Sequence, residues 1–212
     1  GLEKAIRGGI ERAGFDEALV YLQITRGTAP RHHEFPDQAV APTVVMTVKR
    51  LHRLPPETYA RGVAVISRPD MRWKRCDIKS IALVANVLAK QDAAEAGAFE
   101  ALLVDEAGRV TEGASTSAFC VRSGQLWTAP SGPHILPSIT RASLLEVARG
   151  LGLPVREEYS KLEEYLAADE VLLAGTTTEA LGVVTIDGRP IGAGAPGPVT
   201  RSLREAFLRT AR

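Results

Sequence analysis

The residues of this 212-residue chain best suited to chemistry are a lysine, a glutamate, two hydroxyl-bearing loops and an arginine–histidine pair. Lys79 stands in Arg75-Cys76-Asp77-Ile78-Lys79-Ser80, after a cluster of cations (Arg72, Lys74, Arg75) beside Trp73 and before an apolar run almost free of charge until Lys90. This pattern predicts that Lys79 lies at the mouth of a buried segment. There it either snorkels, stem on apolar surface and ammonium in water, or is a partly desolvated amine with enough free base to attack a carbonyl. Glu112, in Val110-Thr111-Glu112-Gly113, falls between two predicted strands and by itself reads as a turn glutamate, as Ser115 by itself reads as a turn hydroxyl. The segment Leu136-Pro137-Ser138-Ile139-Thr140-Arg141 runs into a predicted helix, so the amides of Ile139 and Thr140 can point at an anion. Gly175-Thr176-Thr177, a glycine and hydroxyl loop at a strand end, can do the same. An ordinary N-cap and an ordinary turn are the plainer readings of these two segments. Arg31 and His33 are two apart in Pro30-Arg31-His32-His33-Glu34, so in an extended loop they share a side while His32 points away. An arginine holds a carboxylate by paired charge-assisted hydrogen bonds and an imidazole adds a donor. The same stretch also reads as a solvated cationic loop.

The elements that must position these groups follow from the pattern. Residues 2–13 carry a short helical stripe broken at Gly8-Gly9 and closed by Gly14. Residues 18–27 read as a strand, and the proline-rich stretch from Thr28 to Pro42 as an exposed loop. Two more strands, 43–49 and 62–67, flank a turn at Pro55-Pro56. A helix is predicted from Ser80 to Ala96, strands over 99–105 and in 117–130, and a helix over 140–151 with Thr140 as a possible N-cap. Ser160 with Glu163 makes a capping-box pattern for a helix to Leu166. The strand 170–175, a strand ending in Ile186-Asp187-Gly188 and an amphipathic helix from Val199 to Arg212 close the chain. Strands interspersed with helices and no internal repeat predict an α+β architecture.

Composition narrows the function. A 45% hydrophobic and 24% charged chain is ordinary for a globular protein, and a net charge of +1 argues against attraction to nucleic acid or anionic membrane as its purpose. No apolar run approaches the roughly 20 residues that span a bilayer. Cys76 and Cys120 are too few for a disulfide framework and form no metal-type pair, so the expectation is a reduced, cytoplasmic protein without a metal.

Arg75 to Ser80, the helix-like run after it and VTEGASTSAF at 110–119 together closely resemble the class-IV aminotransferases, the fold-type-IV pyridoxal-phosphate enzymes. Within that family the likeness is greatest to D-amino-acid aminotransferases, whose Arg-x-His motif resembles Arg31 to His33, and it extends over nearly the whole chain. The resemblance implies a class-IV aminotransferase-like fold, with residues 1–67 the later part of a small N-terminal domain and 68–212 the larger cofactor-binding domain. The start of that small domain, and with it the family's phosphate-gripping arginine, has no counterpart here, which suggests a truncated or incompletely represented chain. By the same resemblance Lys79 holds pyridoxal 5'-phosphate as a Schiff base and moves the α-proton, and Glu112 keeps the pyridine nitrogen protonated. Ser115 orients ring or substrate groups, and Leu136 packs on the ring. Ile139, Thr140, Gly175, Thr176 and Thr177 form the phosphate cup. Arg31 and His33 clamp the α-carboxylate, and Tyr21 lines the pocket or belongs to the core. The activity implied is ping-pong transamination between a D-amino acid and a 2-keto acid by a homodimer, with no nucleic-acid or membrane partner. Its rivals are a branched-chain L-amino-acid aminotransferase, an aminodeoxychorismate lyase and a truncated non-catalytic fragment.

Overall fold

A computed structural model describes residues 1–36 and 39–210, which divide into two compact units, Gly1–Arg53 and Leu54–Arg212. In the first unit, helix α1 (Leu2–Ala13) is followed by strands β1 (Ala18–Thr25) and β2 (Thr43–Arg50), paired antiparallel from Ala18 with Arg50 to Thr25 with Thr43. The break expected at Gly8-Gly9 does not occur, because Gly9 is where α1 rests on the sheet. A Cβ there would come within 2.6 Å of the Met46 Cε. Gly14 ends the helix in the left-handed conformation, φ 62, with its amide bonded to the Ile10 carbonyl.

The second unit begins with α2 (Pro56–Arg61), where a turn was expected; Pro56 has no amide to lose at a first helical position. It continues with β3 (Val63–Pro69), α3 (Val84–Glu95), β4 (Glu100–Val104), β5 (Val110–Gly113), β6 (Ser117–Arg122) and β7 (Gln125–Thr128). Then come α4 (Ile139–Gly150), β8 (Val155–Glu157), α5 (Leu162–Leu166), β9 (Glu170–Gly175), β10 (Glu179–Ile186), β11 (Arg189–Pro190) and α6 (Pro198–Thr210). The sheet has nine strands in the order β5-β4-β3-β10-β9-β6-β7-β8, with β11 on β10. The pairs β3–β4, β3–β10 and β7–β8 are parallel and the other pairs antiparallel. Strand β3 thus belongs to the second compact unit.

Strands buried on both faces read as continuous apolar runs, and β6 and β9 are such strands. Alternate residues go to opposite layers. Cys120 and Leu173 join Leu102, Val110, Ile186 and Tyr165 on one face, while Phe119 and Leu172 meet Leu144 and Leu145 of α4 and Leu203 of α6 on the other. Each large side chain so buried contributes about 1.5–3 kcal/mol. Helix α3 differs: its small residues Ala89 and Ala93 pack on Ala101 and Leu103, and its larger ones face outward. The apolar run after Lys79, expected to be buried, is therefore largely exposed, with Val84 75% and Leu88 62% accessible.

Candidate active site

The turn before α3, the end of β5, the approach to α4 and the end of β9 surround a cavity of about 400 Å³, within the range of small-molecule sites. Lys79, Glu112, Ser115, Leu136, Ser138, Gly175 and Thr176 line it, with Arg72, Asn86 and Lys90. Lys79 is exposed. The segment beyond it, residues 80–84, also lies at the surface.

Glu112 is not in a turn. It lies within β5, 5% exposed, and β5's pairing with β4 aims it at the cavity. A carboxylate in that position needs a cation, and Arg72 provides it: the guanidinium, itself buried, bonds the Glu112 Oε1 from Nη1. Its Nε and Nη2 donate to the two Asp70 oxygens at 2.9 and 2.8 Å, and Nη2 also reaches the His134 carbonyl at 3.2 Å. The Thr111 hydroxyl donates to Asp70 at 2.7 Å. Burial pushes the Glu112 carboxyl above the usual carboxylate range even against the nearby guanidinium. Against the burial that would raise it too, Asp70 is held below that range by its hydrogen bonds to Arg72. Against its own burial, Arg72 is raised by both carboxylates and stays cationic.

The Leu136 amide donates to both Glu112 oxygens, at 3.3 and 3.4 Å, and the Cys76 amide donates to the Pro133 carbonyl at 2.7 Å. Residues 133–136 are thus fastened from the cavity side. Ser138, not Thr140, is the N-cap of α4, its hydroxyl accepting from the Arg141 amide at 3.2 Å. Ile139 is 83% exposed and Thr140 is buried inside the first turn; neither lines the cavity. Across from that helix start, β9 ends at Gly175, with Thr176 facing the cavity and Thr177 exposed beside it. Ser138 at the helix start and the Gly175–Thr176 loop put hydroxyl groups on the cavity's border, and helix starts and hydroxyl loops are places that receive an anion.

Of the residues named from sequence, Lys79, Glu112, Ser115, Leu136, Gly175 and Thr176 are brought into one cavity. Tyr21, Arg31 and His33 belong to the first unit. There Tyr21 is half exposed, with its hydroxyl donating to the Gln23 side chain at 2.8 Å, and Arg31 and His33 are exposed in the loop between β1 and β2. Sequence reading missed Asp70, Arg72 as the partner of Glu112, Lys90, and Glu100. The one available signal was Asp70-x-Arg72, where alternate residues of an extended segment share a side.

The donor set fits a phosphorylated pyridine aldehyde: an accessible amine, donors for an anion, and a buried carboxylate with acceptor capacity left. The Glu112 Oε2 accepts only from the Leu136 amide among the hydrogen bonds of the described residues, leaving room for a ring N–H.

Residues 1–186 match the family Amino-transferase class IV, and the chain belongs to that family. It is 42% identical over 188 residues to the D-alanine aminotransferase of Bacillus licheniformis, a match covering 89% of this chain and 65% of that protein. The chain therefore spans just under two thirds of that relative's length. Among solved structures it is similar to the branched-chain amino acid aminotransferase of Escherichia coli (TM-score 0.86, 28% identity, 98% of this chain and 70% of that one). It is also similar to a branched-chain amino acid aminotransferase from T.th., solved with pyridoxamine 5'-phosphate (TM-score 0.87, 32% identity, 98% and 70%).

Proposed function

We propose that this chain carries the cofactor site of a D-amino-acid aminotransferase that exchanges amino groups between a D-amino acid and a 2-keto acid. The observation that carries the reading is the meeting, in one cavity, of the Lys79 amine, the buried Glu112–Arg72 pair and the two anion-binding segments. When bound, pyridoxal 5'-phosphate supplies a carbonyl that takes up amino groups and a ring that accepts the electrons of the α-carbon. Lys79 would hold the cofactor through its amine and, as a free amine, would carry the α-proton as base and then acid. Glu112 sets the ring nitrogen's proton, and Arg72 keeps the carboxylate ionised against its burial. The Ser138 helix start and Gly175–Thr176 hold the phosphate, with Ile139, Thr140 and Thr177 shaping those segments from outside the cavity wall. Leu136 bounds the ring.

Arg31 and His33 bind the α-carboxylate, and Tyr21 contributes to substrate recognition. The D-alanine aminotransferase name of the relative at 42% identity supports D-amino acids over the branched-chain amino acids named for the structural neighbours. We also assign a homodimer, supported by the exposed apolar face of α3 at Val84, Val87 and Leu88, and a cytoplasmic setting, supported by two free, buried cysteines. No helix among the described residues is long and apolar enough to cross a membrane.

Borohydride reduction of the protein with pyridoxal 5'-phosphate, followed by peptide mapping, tests the site. A reduced adduct on Lys79 supports it; an adduct confined to other lysines, or none, overturns it.

A further inference from the structure

Glu100, at the start of β4, is a fully buried carboxylate that the proposed chemistry does not use. Four donors converge on it. The Ala101 amide reaches Oε1 at 3.0 Å, while Oε2 accepts from the Ser115 amide at 3.2 Å, the Ser115 hydroxyl at 2.6 Å and the Thr116 hydroxyl at 3.2 Å. The Lys90 ammonium lies 3.3 Å from Oε1 and also donates to the Phe99 carbonyl. Lys90, Ser115 and Thr116 all line the cavity; Glu100 lies behind its wall.

A carboxylate only accepts, and a hydroxyl has one proton to donate. The Ser115 proton is therefore committed to Glu100, and only the oxygen lone pairs are left for the cavity. We infer that Glu100 is a positioning residue that makes Ser115 a hydrogen-bond acceptor in the cavity, matched to a cationic amine rather than to a phosphate oxygen. Lys90 is the counter-ion that permits a carboxylate to be buried there. The amine belongs either to Lys79 on the same cavity or to the amino-acid substrate. This inference rests on the function proposed above and adds the polarity of one wall of that site.

The test is a double-mutant cycle of Glu100→Gln and Ser115→Ala. Two quantities are read: the dissociation constant of pyridoxal 5'-phosphate without amino acid, and the KM for D-alanine at saturating cofactor. Glu100→Gln should weaken one of them by about tenfold when Ser115 is present and by less than about twofold in the Ser115→Ala background. The thermal midpoint, which a merely structural role would move, should fall equally in both backgrounds. Coupling in the cofactor constant assigns the amine to Lys79; coupling only in KM assigns it to the substrate. If Glu100→Gln does not fold, Lys90→Met replaces it in the same cycle with the same expectation. Cofactor binding with equal effects in both backgrounds, or with no effect, overturns the role of Glu100 and leaves the proposed function intact. No cofactor binding by the unsubstituted chain overturns both.

Discussion

Replacing Arg72 by methionine keeps most of the side-chain volume and removes the only guanidinium bonded to both Asp70 and Glu112 among the described residues. The side chains of Arg72, Asp70 and Glu112 are 7%, 10% and 6% exposed, so the substitution leaves two carboxylates in a poorly solvated site. Removing one partner of a buried pair typically costs about 3–5 kcal/mol. With an m-value of roughly 2 kcal/mol/M, the urea midpoint at pH 8 should drop by about 2 M, which Trp127 fluorescence can follow.

The pH dependence has a definite sign. In the unsubstituted protein Glu112 is raised, so ionising it costs stability as pH rises through its folded value. Asp70 is lowered, so its contribution is present above the ordinary aspartate range and is lost as pH falls through the folded value. Without Arg72 both carboxylates gain protons on folding, so the cost of Arg72→Met should be largest at pH 8 and shrink towards pH 5. Adding Glu112→Gln to Arg72→Met should recover part of the loss at pH 8. A cost below about 1 kcal/mol at pH 8, or one unchanged between pH 8 and pH 5, would refute the view that Arg72 is the counter-ion of this site.

Other consequences can be checked separately. Lys79→Ala should abolish turnover and leave no borohydride-fixed cofactor adduct; an adduct that persists would remove Lys79 from its role. Arg31→Ala should raise the KM for D-alanine more than it lowers kcat, and unchanged kinetics would sink the carboxylate clamp. Ser138→Ala removes the cap of α4 and should cost about 1 kcal/mol in urea unfolding, with weaker binding of inorganic phosphate. Loss of stability with unchanged phosphate affinity would take that helix start out of the anion site.

Strands and helices that announce themselves by composition were legible in the sequence, as were the six residues that meet in the cavity. Helix starts were not, because other hydrogen bonds take up the residues expected to cap them. Ser80 was expected to open α3, but its hydroxyl accepts from the Ala82 amide at 3.3 Å in a short turn, and the helix begins four residues later at Val84. Ser160 was expected to cap α5, yet it is buried and bonded to Arg122 at 2.9 Å, while Glu164 caps the Lys161 amide at 2.7 Å and shifts the helix onward. The exposure of α3 was hidden for a related reason: a run containing Val84, Val87 and Leu88 reads as core, whereas the packed side is made of Ala89 and Ala93. Glu100 and Arg72 were missed because their partners are distant in sequence, Ser115 fifteen residues away and Glu112 forty. No periodicity reports such pairs.

The most direct measurement is the visible absorption spectrum of the purified chain with pyridoxal 5'-phosphate, recorded before and after D-alanine and, separately, L-alanine, L-leucine and aminodeoxychorismate. The D-aminotransferase reading predicts a visible band from lysine-bound cofactor that is lost, with formation of the pyridoxamine form, on adding D-alanine alone. A response only to L-leucine or only to aminodeoxychorismate would contradict it in favour of the corresponding rival, and absence of any band would show that this chain does not hold the cofactor.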